Sequence, residues 1–356
     1  MLNQQIILIK FSKNLVNGSR NMEKDKVTIT EIAELAGVSI ATISRYINGH
    51  LDRMSQETSK KIAKIIAEND FVPNKAAQKL KRQATGLIGV MIANIDDNFS
   101  TELFKGADSI LQASGYDAIL LNSNANEDRE RDQFVKLRSQ QIEGLIIQPL
   151  STDGAQYNDL QDDEMPAVLI DRELTQTNWP VVESNNFDIS AELAGVVADK
   201  GYEKVIVVTE PVGMVSTRHQ RVTGIEAGLA NRGIKLEILE VSEKDFDSKK
   251  IYAALCERTA DFTIKTAVIA LKEQLLLRLL AMAYQHNVSY PAMIGLTGFA
   301  DTEMVRVLAP ELTTVQQGPF AMGAAAAEIL VNRIQHKSEQ VASYIVKAHI
   351  MQGNSI

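Results

Sequence analysis

The sequence predicts an all-α helix-turn-helix head followed by an α/β body of two lobes, each a doubly wound parallel sheet. Three observations predict it. Two helix signatures meet around a single glycine between Thr28 and Asn48. Beyond Gly86, short apolar runs return every few tens of residues with amphipathic stretches between them. Charge divides the same way: Glu23 to Thr85 holds 11 Lys+Arg against 8 Asp+Glu, whereas the whole chain carries −8. A basic head on an acidic body attracts phosphates locally while the body resists nonspecific contact with nucleic acid.

Residues 1–21 precede the first helix signal and read as a disordered arm, with Met22 as an alternative start. Ile6 to Ile9 is too short for a secretory apolar core. In Thr28-Ile29-Thr30-Glu31 a hydroxyl stands three residues before a carboxylate, the capping-box form of a helix start. Ile29, Ile32, Ala33, Leu35 and Ala36 give that helix an apolar face, and Gly37 ends it. Ser39 caps a second helix at once, with Ile43 and Ile47 inward and Ile40, Ala41, Ser44 and Arg45 outward, before Asn48-Gly49. Ser55 caps a third helix whose Ile62, Ala63, Ile65 and Ile66 close a small core. Residues 22–72 therefore read as a helix-turn-helix DNA-binding domain. On that reading Thr28, Ser39, Ser44 and Asn48 position the head through phosphates, and Ile40, Ala41 and Arg45 meet base edges. Residues 73–85 form a hinge. Lys75 to Lys81 holds good helix formers over only about two turns, too few to be stable alone in water.

The body, 86–356, carries the runs LIGVMI (87–92), AILL (118–121), GLIIQ (144–148), AVLI (167–170), KVIVV (204–208), LEIL (236–239), AVIA (267–270) and AMIGLTG (292–298). Short runs of this kind suit parallel strands buried on both faces, and right-handed crossovers arrange them as two lobes. No run reaches the roughly 18 apolar residues of a membrane span. Cys256 is the single cysteine, so no internal disulfide can form. The five histidines, at 50, 219, 286, 336 and 349, lack metal-ligand spacing, and neither a metal nor a cofactor is expected. No phosphate-cradling loop, GxSxG elbow or strand–GxGxxG–helix fingerprint is present, so no catalytic residues are expected.

AGVSIATISRYING, Asn69-Asp70-Phe71-Val72-Pro73-Asn74 and Lys75-Ala76-Ala77-Gln78-Lys79-Leu80 together resemble the head and hinge of the LacI/GalR family of bacterial repressors. The resemblance covers nearly everything from Val27 onward. It implies a cytoplasmic homodimer on double-stranded, pseudo-palindromic operator DNA, switched by a small carbohydrate-like effector. It implies a two-lobed, periplasmic-binding-protein-like sensor, with crossovers near Glu183, Gln317 and a last strand around Ser343–Met351. Without a heptad tail, a dimer is expected rather than a coiled-coil tetramer. The hinge contacts implied are Asn74, Lys75, Ala77 and Leu80, with Leu80 wedged into the minor groove. The effector contacts implied are Asp97, Phe99, Asp171, Arg172, Arg221, Phe246, Lys272 and Ala300.

These residue types suit that chemistry. Asp97 and Asp171 follow apolar runs and can accept hydrogen bonds from sugar hydroxyls, and Arg221 can hold an oxyanion bidentately. Phe246 can lie on the apolar face of a ring. Plainer readings stay open. Either aspartate can cap the next helix, Arg221 can bridge helix carboxylates, Phe246 can fill a loop, Lys272 can point to solvent and Leu80 can merely link. Arg218 and His219 read as surface residues. Where the family has a polar, usually Asn-like residue, Lys272 stands; where it has Asp, Ala300 stands. Two positive charges are thereby gained, which points to an anionic effector, a sugar acid or sugar phosphate. That combination, and the long turn from Asn48 to Ser55, is most similar to the family's regulators of keto-deoxy sugar acids. The rival on the same lobes is a solute-binding or sugar-modifying protein. A periplasmic binder is expected to carry a signal peptide where this chain has a basic helical head.

Overall fold

The computed structural model describes residues 29–39, 42–43, 46, 54–69, 85–213, 215–242, 246–300, 302–335 and 343–356. They fall into two compact units that divide between residues 83 and 84.

In the first unit α1 spans Ile29–Ala36. Gly37 follows at φ +63. The N–H groups of Gly37 and Val38 bond back to the carbonyls of Glu34 and Ala33, both at 3.0 Å, which satisfies the helix end in a Schellman motif. Ser39 Oγ accepts from the Thr42 N–H at 3.2 Å and so caps the next helical stretch, to which Ile43 and Tyr46 belong. α2 spans Gln56–Glu68, with Ser55 Oγ accepting from the Thr58 N–H at 3.1 Å. Ile32, Ala33, Ala36, Ile43 and Ile62 form the core, with Ile65 and Ile66 half-buried against it. Leu35, expected on the apolar face, is 55% exposed instead. At about 100° per residue it lies roughly 200° round the helix from Ala33, away from the buried stripe.

The second unit holds two six-stranded sheets. In the first lobe β1 (Leu87–Ile92), β2 (Asp117–Asn122), β3 (Gly144–Ile147), β4 (Ala167–Ile170), β5 (Val181–Ser184) and β11 (Tyr344–Val346) lie in the order β11-β5-β4-β3-β1-β2. In the second, β6 (Lys204–Thr209), β7 (Lys235–Glu240), β8 (Thr266–Ala270), β9 (Gly295–Phe299), β10 (Thr313–Gln316) and β12 (His349–Met351) lie in the order β12-β10-β9-β8-β6-β7. All pairings are parallel except that of β10 with β12. Helices α3 (Asn98–Ala113), α4 (Glu127–Ser139), α5 (Asn158–Asp162) and α11 (Pro319–Ile334) flank the first sheet. Those of the second lobe are α6 (Asn186–Asp199), α7 (Ser216–Leu229), α8 (Ser248–Thr259), α9 (Glu273–His286) and α10 (Glu303–Leu308). Apolar cores lie on both faces of each sheet.

The chain crosses between lobes three times: after β5, after β10, and between β11 and β12. The stretch 343–351, read as one strand, is therefore two, because Tyr344–Val346 pairs with β5 and His349–Met351 with β10. The run 292–298 becomes a strand only from Gly295, since Ala292 to Ile294 is still in the turn that follows Pro291. Among the described residues no helix is long and apolar enough to cross a membrane.

Candidate functional site

Ligands of open α/β sheets sit beyond the carboxyl ends of the strands. There the first lobe presents what leaves β1, β3 and β4, and the second what leaves β6 and β8. Asp97, after β1, is the N-cap of α3: its Oδ1 accepts from the Phe99 N–H at 3.1 Å. Its Oδ2 lies 3.3 Å from Lys272 Nζ of the second lobe. One oxygen caps a helix and the other meets a cation across the cleft. Burial raises the Asp97 pKa above the ordinary carboxylate value, opposed by Lys272 and by the Phe99 N–H.

Asp171, at the end of β4, is buried and held at φ +67. The Arg172 N–H bonds to the Ile170 carbonyl at 2.8 Å, closing a γ-turn of the rare positive-φ kind. Such backbone persists only where its surroundings enforce it, and clusters at functional sites. Asp171 caps no helix; its Oδ2 accepts from Gln148 Nε2 at 2.8 Å. Gln148 Oε1 in turn accepts from the Ala93 N–H at 3.0 Å and from Ser100 Oγ at 3.2 Å, so one side chain ties the ends of β1, β3 and β4 together. Arg172 Nη1 donates to the Pro149 carbonyl at 3.1 Å. Asp171 Oδ1, Arg172 Nε and Ser184 Oγ are buried with no hydrogen-bond partner among the described residues. A buried polar atom left so costs about 1–3 kcal/mol, which a ligand of matching polarity would recover.

On the second lobe, Arg221 of α7 is buried. It donates through Nε to Asn186 Oδ1 at 2.9 Å and through Nη1 to the Leu271 carbonyl at 2.5 Å. Its guanidinium lies 4.0 Å from the Phe299 ring centroid. Lys272 stands at the N-cap position of α9, and its side chain is only 23% exposed. Besides Asp97 it faces Glu210 Oε2 at 3.9 Å. Glu210 also forms an ion pair with Arg218 Nη2. Arg218, expected at the surface, is mostly buried by that contact and by donating to the Pro211 carbonyl at 2.8 Å. Burial lowers its pKa, opposed by Glu210.

Asp97, Asp171, Arg172 and Lys272 therefore sit just beyond strand ends of the two lobes, and Arg221 reaches the end of β8 from α7 through the Leu271 carbonyl. Phe99 is half-buried against the core of the first lobe and Ala300 is buried in that of the second. Phe246 lies half-buried against the same second core, with the Arg278 guanidinium 5.4 Å from its ring centroid. Further bonds cross the cleft: Gln274 Nε2 to the Asp96 carbonyl at 2.6 Å, and the Glu173 N–H to Ser216 Oγ at 3.2 Å. Glu183, at the end of β5, is pushed up to about 7 by burial and by its neighbour Glu173. Beneath the cleft, Glu130 of α4 accepts from Tyr157 Oη at 2.9 Å and the Leu150 N–H at 3.2 Å, and burial pushes it up to about 7. Among the described residues no group of three or more His, Cys, Asp or Glu can hold a metal ion.

Sequence reasoning missed Gln148, Glu210, Asn186 and Glu130. The first two were within reach: each immediately follows a strand, the rule that found Asp171 and Lys272. Of the expected DNA contacts only Ser39 is described, as the cap already noted. Thr28, Ile40, Ala41, Ser44, Arg45, Asn48, Asn74, Lys75, Ala77 and Leu80 lie outside the described residues.

The family model for periplasmic binding proteins and the sugar binding domain of the LacI family matches residues 85–353, and that for bacterial regulatory proteins of the lacI family matches 28–74. The chain is 31% identical over 331 residues to the HTH-type transcriptional regulator KdgR of Bacillus subtilis, covering 92% of this chain and 97% of that one. It is 28% identical over 334 residues to the regulator PtxS of Pseudomonas putida, covering 92% and 95% respectively. A solved LacI transcriptional regulator from Lactobacillus brevis matches at 33% identity and TM-score 0.69, over 74% of this chain and 100% of that one. The lac repressor dimer bound to operator and an anti-inducer shares the fold, at TM-score 0.77 and 20% identity over 93% of this chain and 99% of that one.

Proposed function

The chain belongs to the LacI family of bacterial regulatory proteins, and from that premise we propose that its cleft binds a small anionic carbohydrate, a sugar acid or sugar phosphate, which switches its hold on operator DNA. It is a transcriptional regulator with a helix-turn-helix head and a sensor of the sugar-binding kind. The observation that carries the effector reading is the placement of Arg172 and Lys272 just beyond strand ends of the two lobes, with Arg218 and Arg221 of α7 reaching the residues that follow β6 and β8. A mostly buried cation strengthens each hydrogen bond that it gives to an oxyanion. Asp97 and Asp171 supply acceptors for sugar hydroxyls, with Asp171 Oδ1 and Arg172 Nε supplying an acceptor and a donor that have no hydrogen-bond partner among the described residues.

In this reading the regulator is a cytoplasmic homodimer on a pseudo-palindromic site. Arg45 reads a guanine edge in each half-site and Leu80 wedges into the minor groove at the centre. Selection of genomic fragments by the purified chain, followed by release with panels of sugar acids, hexose phosphates and neutral sugars, tests it. Enrichment of one two-fold motif whose occupancy responds to an acid or phosphate is expected. Response to neutral sugars alone would remove the anionic effector from the account.

A further inference from the structure

We propose that Asn186 is a positioning residue: it carries the effector's hold on Arg221 into the crossovers that join the two lobes. This rests on the reading of the cleft as an effector site and names the contact by which occupancy acts on the lobes. The crossovers run through residue 185, through residues 317 and 318, and through residues 347 and 348. Two adjacent asparagines hold all three together. Asn185 stands at the N-cap of α6, where an asparagine oxygen commonly accepts from the helix's own N–H groups. No such cap forms among the described residues; its Oδ1 accepts from the Ala348 N–H at 2.8 Å instead.

Asn186, the first residue of α6, is buried, as are Gln317 and Arg221. Its Oδ1 accepts from Arg221 Nε at 2.9 Å and from Gln317 Nε2 at 3.4 Å, and its Nδ2 donates to the Ser184 carbonyl at 3.2 Å. A guanidinium has donors only, so the atom that meets Arg221 has to be the amide oxygen, which fixes the way the amide points. One oxygen is therefore shared between the second crossover and the arginine. Through Nη1 the same arginine reaches the Leu271 carbonyl beyond β8, one residue before Lys272.

An effector that draws the guanidinium toward the cleft competes with Asn186 for its Nε donor. Buried polar groups have little water to turn to, so a bond loosened at Asn186 has to be made good by its remaining partners. Those partners are Gln317 and the Ser184 carbonyl, and both stand at crossovers. Coupling requires that the effector favour one arrangement of the lobes, and a shared acceptor makes the bonds to Arg221 and to Gln317 depend on each other.

Two measurements on the full chain test this. Calorimetry reads ligand affinity, and fluorescence anisotropy of the selected operator duplex reads the response at saturating ligand. The probe is whichever of gluconate, 2-ketogluconate, glucose 6-phosphate or glucose moves the wild type. Asn186→Leu, similar in shape but without the acceptor, is expected to bind the probe yet to move operator affinity by less than about threefold, against about tenfold or more in the wild type. Asn186→Asp, which keeps the oxygen, is expected to retain the wild-type response. Gln317→Met leaves the bond between Asn186 and Arg221 in place, and is expected to lose the response with ligand affinity within about threefold of the wild type. It decides the matter where Asn186→Leu fails to fold or bind. A merely structural role would lower the urea midpoint and leave the response whole. A full response in Gln317→Met or in a folded Asn186→Leu, or a response lost alike in Asn186→Leu and Asn186→Asp, overturns the role of Asn186 and leaves the cleft reading standing. A wild type that binds none of the four probes overturns the cleft reading, and the proposal with it.

Discussion

A carboxyl buried beneath the cleft ties the stability of the first lobe to pH. Glu130 is pushed up to about 7 in the folded chain by burial, whereas an unfolded glutamate titrates near its ordinary 4.5. The folded state therefore holds the proton more tightly, and stability is complete below about pH 4.5 and falls as pH rises through 7. The loss amounts to roughly 2–4 kcal/mol by pH 8. Glu130→Gln is expected to remove most of that slope and to raise the urea midpoint at pH 8 but not at pH 4.5; a slope unchanged by the substitution would clear Glu130 of the effect. Lys272 makes the complementary case for binding. Lys272→Ala removes the charge facing Asp97 and Glu210, and is expected to weaken the acid effector by roughly 1.5–3 kcal/mol in calorimetry. Arg45→Ala is expected to cost about 1–3 kcal/mol at the operator and to relax one base pair per half-site in a binding-site selection.

Among the elements, the contact of α3 with α11 is made by glycine. A Cβ built on Gly323 would stand 1.9 Å from the Leu103 carbonyl oxygen, and one on Gly106 would stand 1.9 Å from that of Phe320. Gly323→Ala must push the two helices apart and is expected to destabilise by about 1–3 kcal/mol in denaturant unfolding. Gly195, inside α6, has nothing beyond its own helix within 4 Å of its Cβ position among the described residues, so Gly195→Ala is expected to stabilise by roughly 0.5–1 kcal/mol. The same helices and strands show what sequence can and cannot reveal. LIGVMI and AVLI match β1 and β4 residue for residue, because an unbroken apolar run between polar segments leaves a buried parallel strand little freedom. VVES and TTVQ did not stand out as strands, since at least half of each is polar and only its neighbours in the sheet bury it. The split of 343–351 depends on β5 and β10, more than a hundred and about thirty residues earlier respectively, and local pattern carries no trace of either. At the site, Asp97, Asp171 and Lys272 were legible as polar residues after apolar runs. Glu210 follows the same rule, but its partner Lys272 lies far along the chain, beyond another strand.

For the whole molecule the claim is one of coupling between a sensor cleft and a DNA-reading head. Coupling of this kind needs only that the effector prefer one arrangement of the lobes to another. The cleft has the means. Contacts such as Lys272 with Asp97 and Gln274 with Asp96 join the lobes through the groups that a charged ligand would engage or displace. Three chain crossovers connect the lobes, one of them passing through Gly318 at φ +74, a conformation that glycine adopts without strain. Residues 73–84 of the hinge lie outside the described residues. Its composition predicts fast amide exchange in the free chain and protection on operator DNA, and equal protection in both states would exclude it as the coupling element. The most direct measurement is fluorescence anisotropy of the selected operator duplex with the full chain, titrated with the sugar acid that calorimetry finds, for the wild type and Lys272→Ala. The acid is expected to move wild-type operator affinity by about tenfold or more and to leave that of Lys272→Ala nearly unmoved. An equal shift in both proteins, or a shift produced by neutral glucose but by no acid, would contradict that expectation.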